Sequence, residues 1–195
     1  NRNFYSSDYT QDSVLRLAAG TYTLVVDGTL AATGDYAFRL ASLASATSIA
    51  TGESIAGTLD PASGTQAWRF DAEAGERFFC EITEQAGDSF RFNLIDPNGQ
   101  RVSASDFANR AWDPLPYSGI YTLLVEGGSW AAAGSTTTYV FVLHPLADPV
   151  PAALELGAVT SGTIEGAGIQ DIWTFTLDSD RLLAFDSLGA NWDLA

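Results

Sequence analysis

The 195-residue chain combines a large apolar fraction with a strong excess of acidic side chains. Its 46% hydrophobic residues are enough to build a packed core, which excludes a disordered tail. The 24 acidic and 9 basic side chains give a formal net charge of −15, so the chain is expected to repel nucleic-acid phosphates and anionic membrane surfaces. Because there is no run of about 18 apolar residues, no membrane insertion is predicted.

The predicted elements, in chain order, are short strands separated by turns. Apolar side chains occupy every second position over 22–26, 68–70, 78–82 and 90–94, the period of a strand with one buried face. Turn-forming residues fill 60–64, 73–76, 96–99 and 127–128. No segment carries a helical period. The pattern predicts an all-β chain of antiparallel β-sandwich or barrel type.

The same strand sequences occur twice along the chain, in the same order. Six blocks recur at offsets that drift between 98 and 105 residues: 7–9 at 105–107, 20–28 at 119–127, 36–40 at 139–143, 57–59 at 162–164, 68–70 at 173–175, and 77–79 at 181–183. Collinear matches with small loop insertions indicate tandem domains, because loops tolerate changes in length. A period of about 100 residues suits whole domains and is too long for a solenoid unit.

The register of the repeat divides the chain into three parts. Residues 1–44 form the C-terminal half of one repeat, 45–147 a complete repeat, and 148–195 the N-terminal half of the next. The predicted linkers are 41–46 and the Pro-rich 144–151. We therefore expect the sequence to be a piece of a longer protein. Half-repeats leave open sheet edges, which could be completed by their own chain or by strand addition from a neighbour.

Several motifs of the complete repeat occur in the order found in a known bacterial domain. Residues 68–78 contain an aromatic strand, a glycine turn and a second strand, and 92–99 read Phe-Asn-Leu-Ile-Asp-Pro-Asn-Gly. Residues 119–125 read Gly-Ile-Tyr-Thr-Leu-Leu-Val, and 139–143 supply a closing strand. In this order the motifs resemble the bacterial pre-peptidase C-terminal domain across the complete repeat and part of both half-repeats.

That resemblance implies a jelly-roll-like β-sandwich that is accessory and non-catalytic. Such domains follow secreted proteases, or occur in tandem in large bacterial surface proteins. This chain departs from the protease-tail arrangement, since three repeat portions follow one another with no catalytic domain among them.

Two residues raise the question of catalysis. His144 is the single histidine, lies in the predicted linker and corresponds to Ala41. Cys80, the single cysteine, lies on the apolar face of a strand, corresponds to Ala184 and is expected to pack as a small buried thiol. Neither a nucleophile-elbow motif nor a His-Glu-x-x-His motif is present, so the sequence predicts no enzyme.

Calcium is the one cofactor hypothesis that the sequence raises. Acidic residues recur as the pairs Asp8/Asp106, Asp27/Glu126 and Asp60/Glu165, and hard cations take oxygen ligands. The competing interpretation is that such residues cap turns with their own side chains. Structural turns are favoured over metal at Asp106, and more strongly at Asp96.

The tryptophans divide into two groups. Trp68 and Trp173 occupy the same strand position, each with a phenylalanine two residues on, and are predicted to be core residues. Trp130 and Trp112 lie in predicted loops, where an exposed ring could stack on an extracellular glycan. Leu30 stands near the Trp130 position in the first repeat, so contact between neighbouring repeats is the favoured alternative.

These observations predict a structural or adhesive repeat segment of a large secreted or cell-surface bacterial protein, assembling into a filament or array. Its predicted partners are neighbouring repeats of the same chain and other copies of itself. The alternative is an accessory tail of a secreted hydrolase that binds substrate or carbohydrate.

Overall fold

A computed structural model describes residues 14–27, 33–105, 109–128 and 131–189, with the backbone alone for 103–105. The chain divides into two compact units, the first Asn1–Asp148 with Gly166–Ile169 and the second Pro149–Glu165 with Gln170–Ala195. Within the described ranges the secondary structure is β-strand apart from one 3-10 turn, Leu43–Ser45. No helix in the described part of the chain is long and apolar enough to cross a membrane.

Among the described residues, nine strands belong to the first unit and two to the second. Those of the first unit are β1 (Thr47–Ser48), β2 (Ser54–Leu59), β3 (Thr65–Ala72), β4 (Arg77–Ala86), β5 (Phe90–Ile95), β6 (Arg101–Ser105), β7 (Arg110–Ala111), β8 (Gly119–Gly127) and β9 (Thr137–Leu146). The second unit contains β10 (Ala152–Ala153) and β11 (Trp173–Thr174).

The strands of the first unit form two sheets. One has the order β1-β3-β8-β5-β6 and the other β2-β9-β4-β7. All neighbours are antiparallel except β1 and β3, which run parallel. Strand β8 lies at the centre of the first sheet, with β3 on one side and β5 on the other.

One aromatic core joins the two sheets. The ring of Phe141 on β9 lies 6.2 Å from that of Trp68 on β3 and 5.7 Å from that of Phe92 on β5, both edge to face. Phe70 on β3 meets Phe78 on β4 at 5.4 Å in the same manner. Such pairs add to the hydrophobic stabilisation of burying the rings. The predicted all-β class is confirmed, and the two sheets of the first unit share one core and do not close into a barrel.

The turn between β5 and β6 is held by Asp96. Its carboxylate accepts a hydrogen bond from the Gln100 backbone N–H at 2.7 Å, and its carbonyl accepts one from Gly99 at 2.8 Å. Gly99 has a φ of 75°, a conformation that residues with a Cβ rarely adopt. Asp96 is therefore a turn residue, as the sequence indicates.

The second predicted linker, 144–151, is partly strand. His144 and Pro145 continue β9, where they pair with Phe79 and Phe78 of β4. The prediction that His144 lies in a linker is wrong, because the apolar alternation of β9 continues through Leu143 and β4 is long enough to pair with it.

The strand predicted over 22–26 does not form a ladder. We call residues 14–27 and 33–41 the leading segment; the structure assigns them no strand, and Tyr22, Leu24 and Val26 are exposed. An extended segment becomes part of a sheet only when a neighbouring strand forms hydrogen bonds with its backbone. An alternating sequence does not show whether such a neighbour is present.

Burial on β8 sets the first prediction. Leu123 is fully buried between the sheets, whereas Ile120 on the same strand is half exposed. Leu123→Ala should lower the free energy of unfolding by about 2–5 kcal/mol, since it removes buried methyl groups and leaves a cavity. Urea unfolding measures this, with Ile120→Ala as control at roughly 0.5 kcal/mol or less. Equal losses for both variants would show that the core is misplaced.

Candidate interaction surface

Glu126, one of the predicted metal ligands, is enclosed within the first unit. It lies on β8 beside Arg91 of β5 in the sheet register, and its side chain is fully buried. The Asn93 side-chain amide donates a hydrogen bond to its carboxylate, while Asn93 Oδ1 has no partner. A buried carboxylate needs such donors, because losing its water of hydration is costly. In this structure Glu126 is part of an internal polar contact.

Of the other three predicted metal ligands, only Asp27 lies among the described residues. Asp27 is exposed at the end of a described stretch. Asp8 and Asp106 lie outside the described residues. Among the residues that are described, no three His, Cys, Asp or Glu side chains come together in a way that could hold a metal ion.

Of the two loop tryptophans, one is described. Trp112 is buried, and its ring stacks on Phe70 at 6.5 Å between centroids. Its ring therefore offers no open face to a glycan or a neighbouring repeat, in contrast to the expectation from its loop position. The segment after β7 folds inward, since the Trp112 N–H donates to the Phe78 carbonyl at 2.8 Å and carries the side chain into the core. Trp130 lies outside the described residues.

Cys80 and His144 lie on opposite faces of one sheet. Cys80 pairs with Leu143 and points into the core, where burial raises the pKa of its thiol to about 12. His144 Nε2 lies 2.8 Å from the Glu81 carboxylate on the outer face. Because neighbouring residues of a strand point to opposite faces, the thiol and the imidazole cannot act on one substrate atom. Cys80 is a buried thiol, as predicted.

A hydrogen-bonded group centred on Tyr139 was not singled out by the sequence. The Tyr139 hydroxyl accepts a hydrogen bond from Trp68 Nε1 at 3.0 Å and donates one to Gln66 Oε1 at 2.6 Å. Its ring covers Gly57, where any Cβ would overlap it. Burial raises the pKa of Tyr139 to about 12, so the hydroxyl remains a donor at neutral pH. The signal was available in sequence, since Gly57, Trp68 and Tyr139 all recur.

Most of the exposed large apolar side chains lie in two stretches. The first is the leading segment, where Tyr36 and Phe38 stack on each other in the open at 6.2 Å. The second is residues 149–165 and 170–189, which we call the trailing segment; Leu182 and Phe185 are almost wholly exposed there. Trp173, predicted to be a core residue, is also exposed. Exposed apolar surface of this extent is typical of interaction sites.

The trailing segment repeats a hydrogen-bonding pattern of the first unit. In the first unit β1 pairs in parallel with β3, with Thr47 opposite Trp68. In the second unit β10 pairs in parallel with β11, with Ala152 opposite Trp173, and each residue lies 105 positions after its counterpart. The next bond recurs too, from Ile49 N–H to the Arg69 carbonyl at 2.9 Å and from Leu154 N–H to the Thr174 carbonyl at 2.8 Å.

Comparisons with known proteins give neighbours of low similarity. No protein-family model matches the chain, and no curated protein matches it. A solved pre-peptidase C-terminal domain of collagenase from Bacillus anthracis is 17% identical with a TM-score of 0.41, covering 50% of this chain and 93% of that one. PliG, a periplasmic inhibitor of g-type lysozyme, from Aeromonas hydrophila is 18% identical with a TM-score of 0.42, covering 51% and 96%. PliG from Salmonella Typhimurium is 15% identical with a TM-score of 0.38, covering 50% and 96%.

The environment of Cys80 sets the second prediction. With its pKa near 12, almost none of the thiol is ionised at pH 8, and the thiolate is the reactive form. A thiol-specific disulfide reagent should therefore react with the folded protein at least about a hundredfold more slowly than with a free thiol of pKa about 8.5. The same reagent in denaturant is the control, where one thiol per chain should react at the ordinary rate. Equal rates in both conditions would contradict the buried position.

Proposed function

We propose that the chain is a non-catalytic structural and adhesive segment of a large secreted or cell-surface bacterial protein, in which units like residues 45–147 follow one another. The observation that carries this proposal is the recurrence of the parallel bridge, Thr47 with Trp68 and Ala152 with Trp173. A repeated sequence that also repeats its backbone hydrogen bonds is typical of tandem domains of one kind. Such a segment acts as a spacer, because each unit buries its own core and sets a fixed length.

The chemistry of the described residues supports a structural role. The imidazole of His144 is directed to Glu81, and the Cys80 thiol is buried on the other face of the sheet. The net charge of −15 suits an exposed protein that must remain soluble at high local concentration. The glycan hypothesis now depends on Trp130 alone, because the ring of Trp112 is buried.

The coding sequence on both sides of this segment tests the third prediction. Further copies of the pattern, spaced by about 100 residues, should precede and follow it. Each copy should keep the glycine, tryptophan and tyrosine that correspond to Gly57, Trp68 and Tyr139. A zinc-protease or subtilisin-like motif directly upstream would instead support the alternative, a substrate- or carbohydrate-binding tail of a secreted hydrolase.

The fourth prediction concerns calcium. Glu126 is already hydrogen-bonded inside the first unit. Because aspartate side chains commonly cap turns, we expect Asp8, Asp27 and Asp106 to act as turn residues and not as metal ligands. The melting temperature should then be the same in excess EDTA and in millimolar Ca²⁺, with matched ionic strength. A higher melting temperature in Ca²⁺ than in EDTA, if Asp106→Asn abolishes the difference, would restore the calcium hypothesis. The reason is that a ligand that binds only the folded state raises its stability.

A further inference from the structure

A short loop from beyond β9 lies against the outer face of the second sheet. Residues Gly166–Ile169 follow the complete repeat, 45–147, in sequence, yet they group with the first compact unit. A Cβ placed on Gly168 would lie 2.9 Å from Phe79 Cβ and 3.1 Å from Leu146 Cδ1. The backbone of this loop therefore packs directly on side chains of β4 and β9. We call Gly166–Ile169 the junction loop.

The surface under the junction loop is a small apolar patch. Phe79 projects from the outer face, because its neighbours Phe78 and Cys80 point into the core, and yet it is only 7% exposed. The ring of His144, its partner across the ladder, lies 6.4 Å away between centroids, and Leu146 is half-buried. We call Phe79, His144 and Leu146 the junction patch. An outer-face aromatic ring this well buried needs a cover, and the junction loop supplies part of it.

The histidine of the patch is oriented by a carboxylate on the neighbouring strand. His144 Nε2 lies 2.8 Å from Glu81 Oε2, and both side chains are partly open to solvent. An ion pair in such a setting adds little stability, so its effect is to hold the imidazole beside Phe79. His144 is the single histidine of the chain, and this contact gives it a structural use.

The loop approaches this closely because residue 168 has no side chain. Gly168 has a φ of 76°, and the position of a Cβ on it is filled by Phe79. Any other residue would strain the backbone and also push against that ring. Gly157 has a similar φ of 85° with nothing within 4 Å of its Cβ position, so it meets the backbone requirement alone. Gly168 carries an additional packing requirement that a turn does not impose.

The corresponding loop of the complete repeat, between β2 and β3, has one side toward its own unit. Ala62 is 1% exposed, and its N–H donates a hydrogen bond to the Ser135 carbonyl at 2.7 Å. Pro61 and Ser63, on either side of it, are exposed. The inner side of such a loop thus belongs to its own repeat, while the outer side is open to a neighbour.

Burial in the junction loop is the reverse of this pattern. Ala167, which lies 105 positions after Ala62, is exposed, whereas Gly166 and Gly168 are half-buried. The side of the loop that a complete repeat uses for its own packing is therefore free, and the opposite side contacts the junction patch. The contact is compatible with a complete following repeat, because the two sides of the loop serve different neighbours.

The junction patch lies where the chain leaves the complete repeat. Strand β9 ends at Leu146, and only residues 147–151 separate it from β10. Two of these residues are Pro149 and Pro151, and proline makes a linker stiff and extended. A short stiff linker and a packed loop beside it restrict the same joint at two points.

We propose that the junction loop and the junction patch form an anchor between consecutive repeats, in which the loop of the following repeat seats on the outer face of β4 and β9 and limits its rotation. The inference rests on the proposed function, because it takes Gly166–Ile169 as part of a following repeat. The anchor is particular to this junction, since the counterparts of His144 and Gly168 one repeat earlier are Ala41 and Ser63.

Distances between two spin labels test the anchor. The labels are placed at E84C on β4 and at T176C, the counterpart of the exposed Asp71, within the natural flanking sequence and with any flanking cysteines replaced. Cys80 is buried and does not take a label. A single narrow distance is expected, and Gly168→Ala should replace it with a broad distribution, because the new Cβ meets Phe79. Gly157→Ala is the matched control: it brings the same backbone strain into open space and should keep the narrow distance.

Two outcomes would overturn the anchor. One is a broad distribution in the labelled chain that keeps Gly168, and the other is a narrow distribution that survives Gly168→Ala. In either case, further copies in the flanking sequence would leave the proposed function standing, with repeats joined flexibly. Absence of such copies would remove the proposed function whatever the label distances are.

A second variant tests the patch without altering the loop. Leu146→Ala removes methyl groups that face Gly168, and because Leu146 is only half-buried the first unit should remain folded. The narrow label distance should broaden. Val102→Ala is the control, since it removes an apolar side chain that is exposed on β6 of the other sheet. Equal distance distributions for the two variants would contradict the anchor.

Discussion

The structure depends on the pairing of β8 with β3. This ladder runs from Thr65 opposite Glu126 to Ala72 opposite Gly119, and it brings Trp68 and Phe70 beside Leu123 and Tyr121 in the core. Strand β8 is central, so its remaining hydrogen bonds go to β5, and its inner side chains pack against the second sheet. A strand of this kind cannot bury its side chains alone, because a single layer always leaves one face in water.

The leading segment shows the consequence of that constraint. The sequence of its residues 20–27 is similar to that of 119–126. Residues 20–27 nevertheless form no ladder in the described structure, and their apolar side chains are exposed. Strands β8 and β9 have β3 and β2 as hydrogen-bonded neighbours, whereas the described leading segment belongs to no ladder. Burial here is a property of the assembled unit and not of the strand sequence.

The sequence predicted the all-β class, the alternation of β3, β4 and β5, the turn at Asp96 and the burial of Cys80, because period-two patterning and turn chemistry are local. It misplaced His144, since the end of β9 is decided by its pairing with β4. The loop position of Trp112 predicted an exposed ring, but loop position alone does not show whether the chain folds inward. The Tyr139 group also needed the structure, since its members come from three strands, β2, β3 and β9.

The central claim is that the repeated strands become ordered only where both halves of a unit meet, and hydrogen exchange tests it most directly. At low protein concentration the amides of 121–126 should be strongly protected, while those of 22–27 should exchange nearly as fast as an unfolded peptide. Equal and strong protection of both copies in the dilute monomer would contradict the account, because the leading strand would then be ordered without its partner.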